Sequence, residues 1–139
     1  TIPGTDGQKM SKSYHNAIEL FEPNGSIKKK VMGIVTDSKT MEEPKEPEGN
    51  AIYELYKLFA TPDEVAEMAA NFRAGNYGYG HAKKALLEAY HRLFDPFRAR
   101  REELAKDTDT LEDILKAGAE KARAAAMATM EKVRTAVGL

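Results

Sequence analysis

The residues best placed to do chemistry are Lys9-Met10-Ser11-Lys12-Ser13. Two lysines three positions apart, on a loop flanked by Gly4 and Gly7, present two point charges. Each ammonium offers three donors and no acceptor. Ser11 and Ser13 add hydroxyls, and the glycine-flanked backbone adds N–H groups. Such a set suits a triphosphate, because fixed donors stabilise negative charge where it builds up as bonds break. A loop that moves can also hold the transition state more tightly than the ground state. The bland alternative is a basic surface loop.

Around that loop the chain must supply a support. Residues 1–16 read as a loop punctuated by Pro3, Gly4 and Gly7, with no apolar period. Thr1 opens directly on it, as a segment of a longer protein would. Residues 26–33 predict a short helix with Ser26 as N-cap. Residues 36–49 return to loop, broken by Asp37, Pro44, Pro47 and Gly49. From Asn50 onward the period is helical, with Ile52, Leu55, Tyr56, Leu58 and Phe59 sharing a face. Thr61-Pro62-Asp63-Glu64 is a capping box with proline in the first turn, and Gly75 supplies a left-handed stop. A third helix is expected from about His81 to Lys106, burying Leu86, Tyr90, Leu93, Phe94 and Phe97, with Pro96 bending or restarting it. Asp107 to Thr110 cap a last helix, whose apolar stripe runs from Leu111 through Ile114, Leu115 and Met130 to Val137. The expected fold class is all-α, a helical bundle from about residue 50 preceded by an extended loop and one short helix.

Composition narrows the classes. The chain has 139 residues, a net charge of −1 and no cysteine, so disulfides and thiolate metal sites are excluded. No apolar run reaches the length of a membrane span, and no secretory leader is readable at the N-terminus. The expected home is cytoplasmic, with no membrane partner. Near-neutral charge argues against a general nucleic-acid coat but leaves room for one cationic face, since basic residues gather at Lys28 to Lys30, at Lys83 and Lys84, and at Arg98, Arg100 and Arg101. Tyr77 and Tyr79 either offer a stacking surface for unpaired bases or pack the helix junction. Arg98, Arg100 and Arg101 either meet RNA phosphates or pair with Glu102 or Glu103. His15, His81 and His91 are not spaced to share a metal, so no metal site is expected.

Residues Lys9 to Ser13, preceded by Pro3-Gly4-Thr5-Asp6-Gly7 and followed by Tyr14 and Asn16, resemble the KMSKS signature of class I aminoacyl-tRNA synthetases, and of the tryptophanyl type in particular. The likeness continues through Lys28 to Val31, Thr36-Asp37-Ser38, Tyr79-Gly80 with Lys83-Lys84, Pro96, and Gly118 to Arg123, ending near Val137-Gly138-Leu139. His15 departs from it, standing where that family usually has glycine, a residue that would permit a positive backbone angle.

The resemblance implies a C-terminal portion of such an enzyme. Residues 1–49 would be the KMSKS loop, short helix and linker at the end of a Rossmann-type catalytic domain, and residues 50–139 a helical anticodon-binding domain. The whole enzyme would use ATP with Mg2+ to activate tryptophan and then charge tRNA(Trp). Lys9 and Lys12 would be the catalytic pair, with Lys12 foremost, and Lys9, Met10, Ser11, Lys12 and Ser13 would form the ATP-binding loop. Tyr77, Tyr79, Arg98, Arg100 and Arg101 would be the tRNA-binding candidates. The whole enzyme would be a homodimer. The chain alone would be a monomer, inactive, holding no cofactor of its own, because no HIGH motif or tryptophan pocket is readable in it. Two other readings remain: an all-helical protein-interaction module, and a fragment of a tyrosyl-type relative.

Overall fold

A computed structural model describes residues 1–138. Five helices follow an ordered N-terminal loop: α1 (Asn24–Met32), α2 (Ala51–Tyr56), α3 (Pro62–Ala74), α4 (Tyr79–Lys106) and α5 (Thr108–Val137). Among the described residues the regular structure is helical, apart from one antiparallel bridge between Pro3 and Lys9. The chain forms two compact units, Thr1–Pro96 and Phe97–Leu139.

The first unit holds the core. Ile27, Val31, Ile34, Ile52, Phe72, Leu86 and Tyr90 are almost wholly removed from water. They come from α1, α2, α3, α4 and the turn after α1, so burial of apolar area ties distant segments together. Phe59, Tyr90 and Phe94 stack edge-on or tilted, with centroids 5.0 to 6.1 Å apart. The Tyr90 hydroxyl donates to the Leu20 carbonyl at 2.7 Å, pinning the segment before α1 to α4.

Local signals set most helix ends. Asn50 Oδ1 accepts from the N–H groups of Ile52 and Tyr53, starting α2. Thr61 and Glu64 form the reciprocal capping box of α3. Asp107 accepts from the Thr110 N–H and starts α5. Ser26 does not cap α1: the helix begins two residues earlier, after Pro23, and the Ser26 hydroxyl donates instead to Glu22 Oε2 at 2.6 Å. The Ser26 hydroxyl therefore ties the first turn of α1 back to Glu22 rather than capping an N–H ahead of it.

Other expectations need correction. Gly75 does end α3, but at φ 79° and ψ −175°, an extended mirror conformation rather than a left-handed helical one. The next chain segment thereby passes beside residues 42–45, where Lys45 N–H donates to the Phe72 carbonyl at 2.7 Å. Pro96 does not restart the third helix, since α4 runs from Tyr79 to Lys106 with the proline inside it. The ring removes one donor, but one missing bond in a 28-residue helix is tolerated where flanking turns hold. Leu58, Leu93 and Phe97 were placed on buried faces, yet they are 49%, 40% and 59% exposed. α2 ends at Tyr56, which turns Leu58 out of the helical register. No described residue of α5 is buried, although its apolar stripe has clean helical spacing.

Glu64 joins the capping box to α4. Its carboxylate takes both Arg92 guanidinium donors, at 2.8 and 2.7 Å, as well as the Thr61 N–H at 2.8 Å. The arginine, first, and then the Thr61 N–H hold its pKa down to about 2 from 4.5. A depressed carboxylate pKa stabilises the fold above the unfolded value, and that contribution is lost as pH falls through the folded one. The stability difference between the wild type and Glu64→Gln is therefore expected to be flat above pH 4.5 and to shrink towards pH 2. Thermal melts across that range check it, and a gap that stays constant down to pH 2 would refute it.

Candidate functional site

The N-terminal loop is built, not slack. Met10 N–H donates to the Ile2 carbonyl at 2.8 Å and Gly4 N–H to the Gln8 carbonyl at 2.6 Å, closing a hairpin. Thr5-Asp6-Gly7 forms its tip. There Asp6 Oδ1 accepts from the Gln8 N–H at 3.0 Å, and Gly7 takes φ 81°. Thr5 also accepts from the Val35 N–H at 2.8 Å, fastening the tip to the turn after α1.

The five-residue motif follows in three parts. Lys9 sits at the bridge and points its side chain to solvent. Met10 is half-buried and packs against the core, lining an apolar cavity of about 270 Å³ with Ile2, Ile18, Val31, Leu55 and Leu86. Lys12 to Tyr14 then make one 3-10 turn, and Lys12 and Ser13 are exposed. Ser11 Oγ and Ser13 Oγ lie 2.8 Å apart. Among the described residues, neither the Lys9 nor the Lys12 ammonium enters an ion pair. Both charges stand on a backbone already held in place.

Asn16 is the residue that holds it. It is 2% exposed. Its Oδ1 accepts from the Ser11 N–H at 2.8 Å, and its Nδ2 donates to the Lys9 carbonyl at 3.1 Å and to Asp6 Oδ1 at 2.8 Å. Its own carbonyl accepts from the Thr5 N–H at 2.9 Å. The Asn16 amide, chiefly, lowers the Asp6 pKa. Gly4 lies so close that an added Cβ would overlap the Asn16 side chain. Sequence reading noted Asn16 only as part of the extended motif. The signal for its role is a buriable amide nine residues after an Asp-Gly turn.

His15 closes the turn at φ 55° and ψ 22°, in the left-handed region, with its N–H donating to the Lys12 carbonyl at 3.2 Å. The positive angle that glycine would allow is thus present with histidine in place. A side chain is disfavoured there, so His15→Gly is expected to raise stability by about 0.5–1 kcal/mol. A lower melting temperature in that variant would count against it.

Of the basic clusters, Lys30 is committed inward: its ammonium donates to the Ala17 carbonyl at 2.9 Å and pairs with Glu22 at 3.0 Å. Lys28 and Lys29 are exposed. Lys83 donates to the Met32 carbonyl at 3.0 Å, and burial pushes its pKa down. Sequence reading missed Lys45 altogether. It is 2% exposed, and its ammonium donates to the carbonyls of Thr40, Glu43 and Met41 at 2.6, 2.8 and 3.3 Å. It also lies 5.4 Å from the Tyr79 ring centre.

The two tyrosines are packed. Tyr77 lies 5.7 Å from both Phe72 and His81, ring centre to ring centre. Tyr79 stacks edge-on to Phe72, and its hydroxyl donates to Asp37 at 2.7 Å. Burial, and then that carboxylate, push the phenol pKa well up. In the second unit, Arg100 pairs with Glu103 at 3.0 Å, and Arg98 is half-buried while Arg101 is exposed.

Comparison with known proteins fits this arrangement. The family model for tRNA synthetases class I (W and Y) matches residues 1–95. The chain is 51% identical to a tryptophan–tRNA ligase of Rhodopirellula baltica, covering 99% of this chain and 43% of that protein. It is 48% identical to the same-named protein of Fusobacterium nucleatum, covering 99% and 42%. The crystal structure of Campylobacter jejuni tryptophanyl-tRNA synthetase complexed with ADP and tryptophan superposes at a TM-score of 0.89 with 39% identity, over 99% of this chain and 43% of that one. The chain thus spans less than half the length of the relatives it matches. An ordered lysine–serine loop and a family match over the unit that carries it place the chain among the class I tRNA synthetases of the tryptophan and tyrosine type.

Proposed function

We propose that this chain is part of a tryptophan–tRNA ligase, in which the loop Lys9 to Ser13 grips the phosphates of ATP while tryptophan is activated and then transferred to tRNA(Trp). The observation that carries this reading is the loop itself. It sets two exposed lysines and two hydroxyls on a fixed backbone, with no protein carboxylate neutralising the charges among the described residues. ATP would arrive with Mg2+. Lys9 and Lys12 would take the charge that builds on the leaving pyrophosphate, Ser11 and Ser13 would contribute hydroxyls, and Met10 would anchor the loop through the core.

The helical part, residues 50–139, supplies tRNA contact in this reading. Arg98, Arg100 and Arg101 are its candidates for phosphate contact. Tyr77 and Tyr79 support their surroundings through the ring packing and the Asp37 bond, and reach bases only if those contacts open. The tyrosine-specific alternative is disfavoured by relatives that are tryptophan–tRNA ligases at up to 51% identity. The interaction-module alternative gives no reason for the lysine–serine loop. The whole protein is proposed to act as a cytoplasmic homodimer, and this chain alone as a monomer without tryptophan-dependent pyrophosphate exchange.

The test is binding of the chain to tRNA(Trp) and to the same tRNA with a swapped anticodon, across a salt series. Preference for the cognate anticodon, with a salt slope that counts phosphate contacts, is the expected result. Equal affinity for both would remove anticodon reading from residues 50–139.

A further inference from the structure

Four observations converge on one side chain. Asn16 is 2% exposed, spans Ser11 N–H and the Lys9 carbonyl, is gripped by the Asp6 carboxylate, and touches Gly4 so closely that no Cβ fits between them. A primary amide is suited to this place, because it accepts and donates from one rigid plane. The bond to Ser11 and the bond to Lys9 cross the motif, so the amide fixes the start of the 3-10 turn relative to the first lysine. The bond that Asn16 Nδ2 donates to Asp6 fixes the amide plane. Asp6 itself is exposed and also takes the Gln8 N–H, so it belongs to the hairpin tip and reaches the motif only through Asn16.

From this we propose that Asn16 is the positioning residue of the phosphate loop, and that Asp6 is the latch that keeps it in place. The inference rests on the phosphate-binding reading of Lys9 to Ser13. Neither residue touches phosphate. Together they keep the loop in its binding-competent shape before the ligand arrives. A ligand that must first select a minor conformer binds more weakly by the fraction of chains that hold it. If breaking the latch leaves roughly a tenth of loops correctly shaped, triphosphate affinity falls about tenfold.

The pair also predicts a pH signature. Asn16→Asp sets two carboxyl groups at a 2.8 Å hydrogen-bond position, where they can share one proton but cannot both ionise cheaply. The groups bonded to the pair are the Ser11 and Gln8 N–H groups and the Lys9 carbonyl, and the charged side chains lining the same surface pocket as Asp6 are Asp37, Lys39, Glu46 and Glu48. In this variant the loop is therefore ordered at low pH and loosens as pH rises through the carboxylate range. In Asp6→Ala with Asn16→Asp the second carboxyl is gone, and the dependence should weaken.

The experiment measures inorganic tripolyphosphate binding to the chain by calorimetry, and exchange of the Ser11 amide proton by NMR. The proteins are the wild type, Asp6→Ala, Asn16→Ala, Asn16→Asp and the double variant Asp6→Ala/Asn16→Asp. Asp6→Ala alters only an exposed side chain, so it keeps the test valid if Asn16→Ala fails to fold. Expected are about tenfold weaker binding in Asp6→Ala and Asn16→Ala, faster Ser11 exchange in both, and a loosening with pH that is steeper in Asn16→Asp than in the double variant. Wild-type affinity in Asp6→Ala and Asn16→Ala, or the same pH dependence in Asn16→Asp and in the double variant, would overturn the latch. If the wild-type chain binds no tripolyphosphate, the phosphate-loop reading is decided instead by Lys12→Ala in a protein of the relatives' full length. The latch then stands or falls on Ser11 exchange, and unchanged exchange in Asp6→Ala rejects it.

Discussion

Replacing Gly75 by alanine is expected to destabilise the first unit by about 3 kcal/mol, from backbone strain and a steric overlap together. At φ 79° and ψ −175°, the backbone occupies a region that only glycine enters readily. An added Cβ would also overlap the Glu42 carbonyl oxygen, which is backbone and already accepts from the Asn76 N–H at 3.4 Å. Relief would require moving the chain around residue 42. Lys45 stands against that, since its ammonium grips the neighbouring carbonyls of Thr40, Met41 and Glu43. In a unit of this size the melting temperature should fall on the order of 10 °C or more. Calorimetry checks it, and a shift under about 2 °C would show that the segment yields without strain.

The second large effect concerns chemistry. In a protein that joins this segment to the remainder of its relatives' length, Lys12→Ala should lower tryptophan-dependent ATP–pyrophosphate exchange about 100- to 1000-fold in kcat, the size seen when one donor to a developing charge is removed. The KM for tryptophan should barely move. Lys12 opens the 3-10 turn and is exposed, with its backbone carbonyl held by His15 N–H, so the truncation leaves the turn intact. An effect confined to KM for ATP would mean that the lysine binds ground and transition states equally. A change below about threefold would remove Lys12 from the catalytic role.

What the sequence discloses here depends on the range of the interaction. Caps act over three or four residues, and Asn50, Thr61 with Glu64, and Asp107 were all readable as written. The lysine–serine motif is contiguous, so its chemistry was readable too. The reading of 26–33 starts the helix two residues late, because serine is a common N-cap whereas α1 begins after Pro23 with no side-chain cap. The exposed Leu93 and Phe97 lie in helical register but register reports only which side chains share a face, not whether anything lies opposite. The same limit applies to the apolar stripe of α5. Lys45 was hidden for a different reason. A lysine between acidic residues and prolines reads as solvated, and only the folded turn brings three carbonyls round its ammonium. Asn16 was visible as a residue but not as a brace, because its partners span residues 4 to 11 and meet only when the hairpin closes.

Lys45 and Lys12 carry the same charge but should differ in their sensitivity to ionic strength. Added salt screens an exposed ammonium and competes for its phosphate partner, so any anion held by Lys9 and Lys12 is released as salt rises. The Lys45 ammonium is shielded from water and satisfied by carbonyl dipoles, which counter-ions do not displace. The 40–45 turn should therefore persist at salt concentrations that empty the loop. In a salt titration, loss of anion from the loop is thus expected before any change in the 40–45 turn.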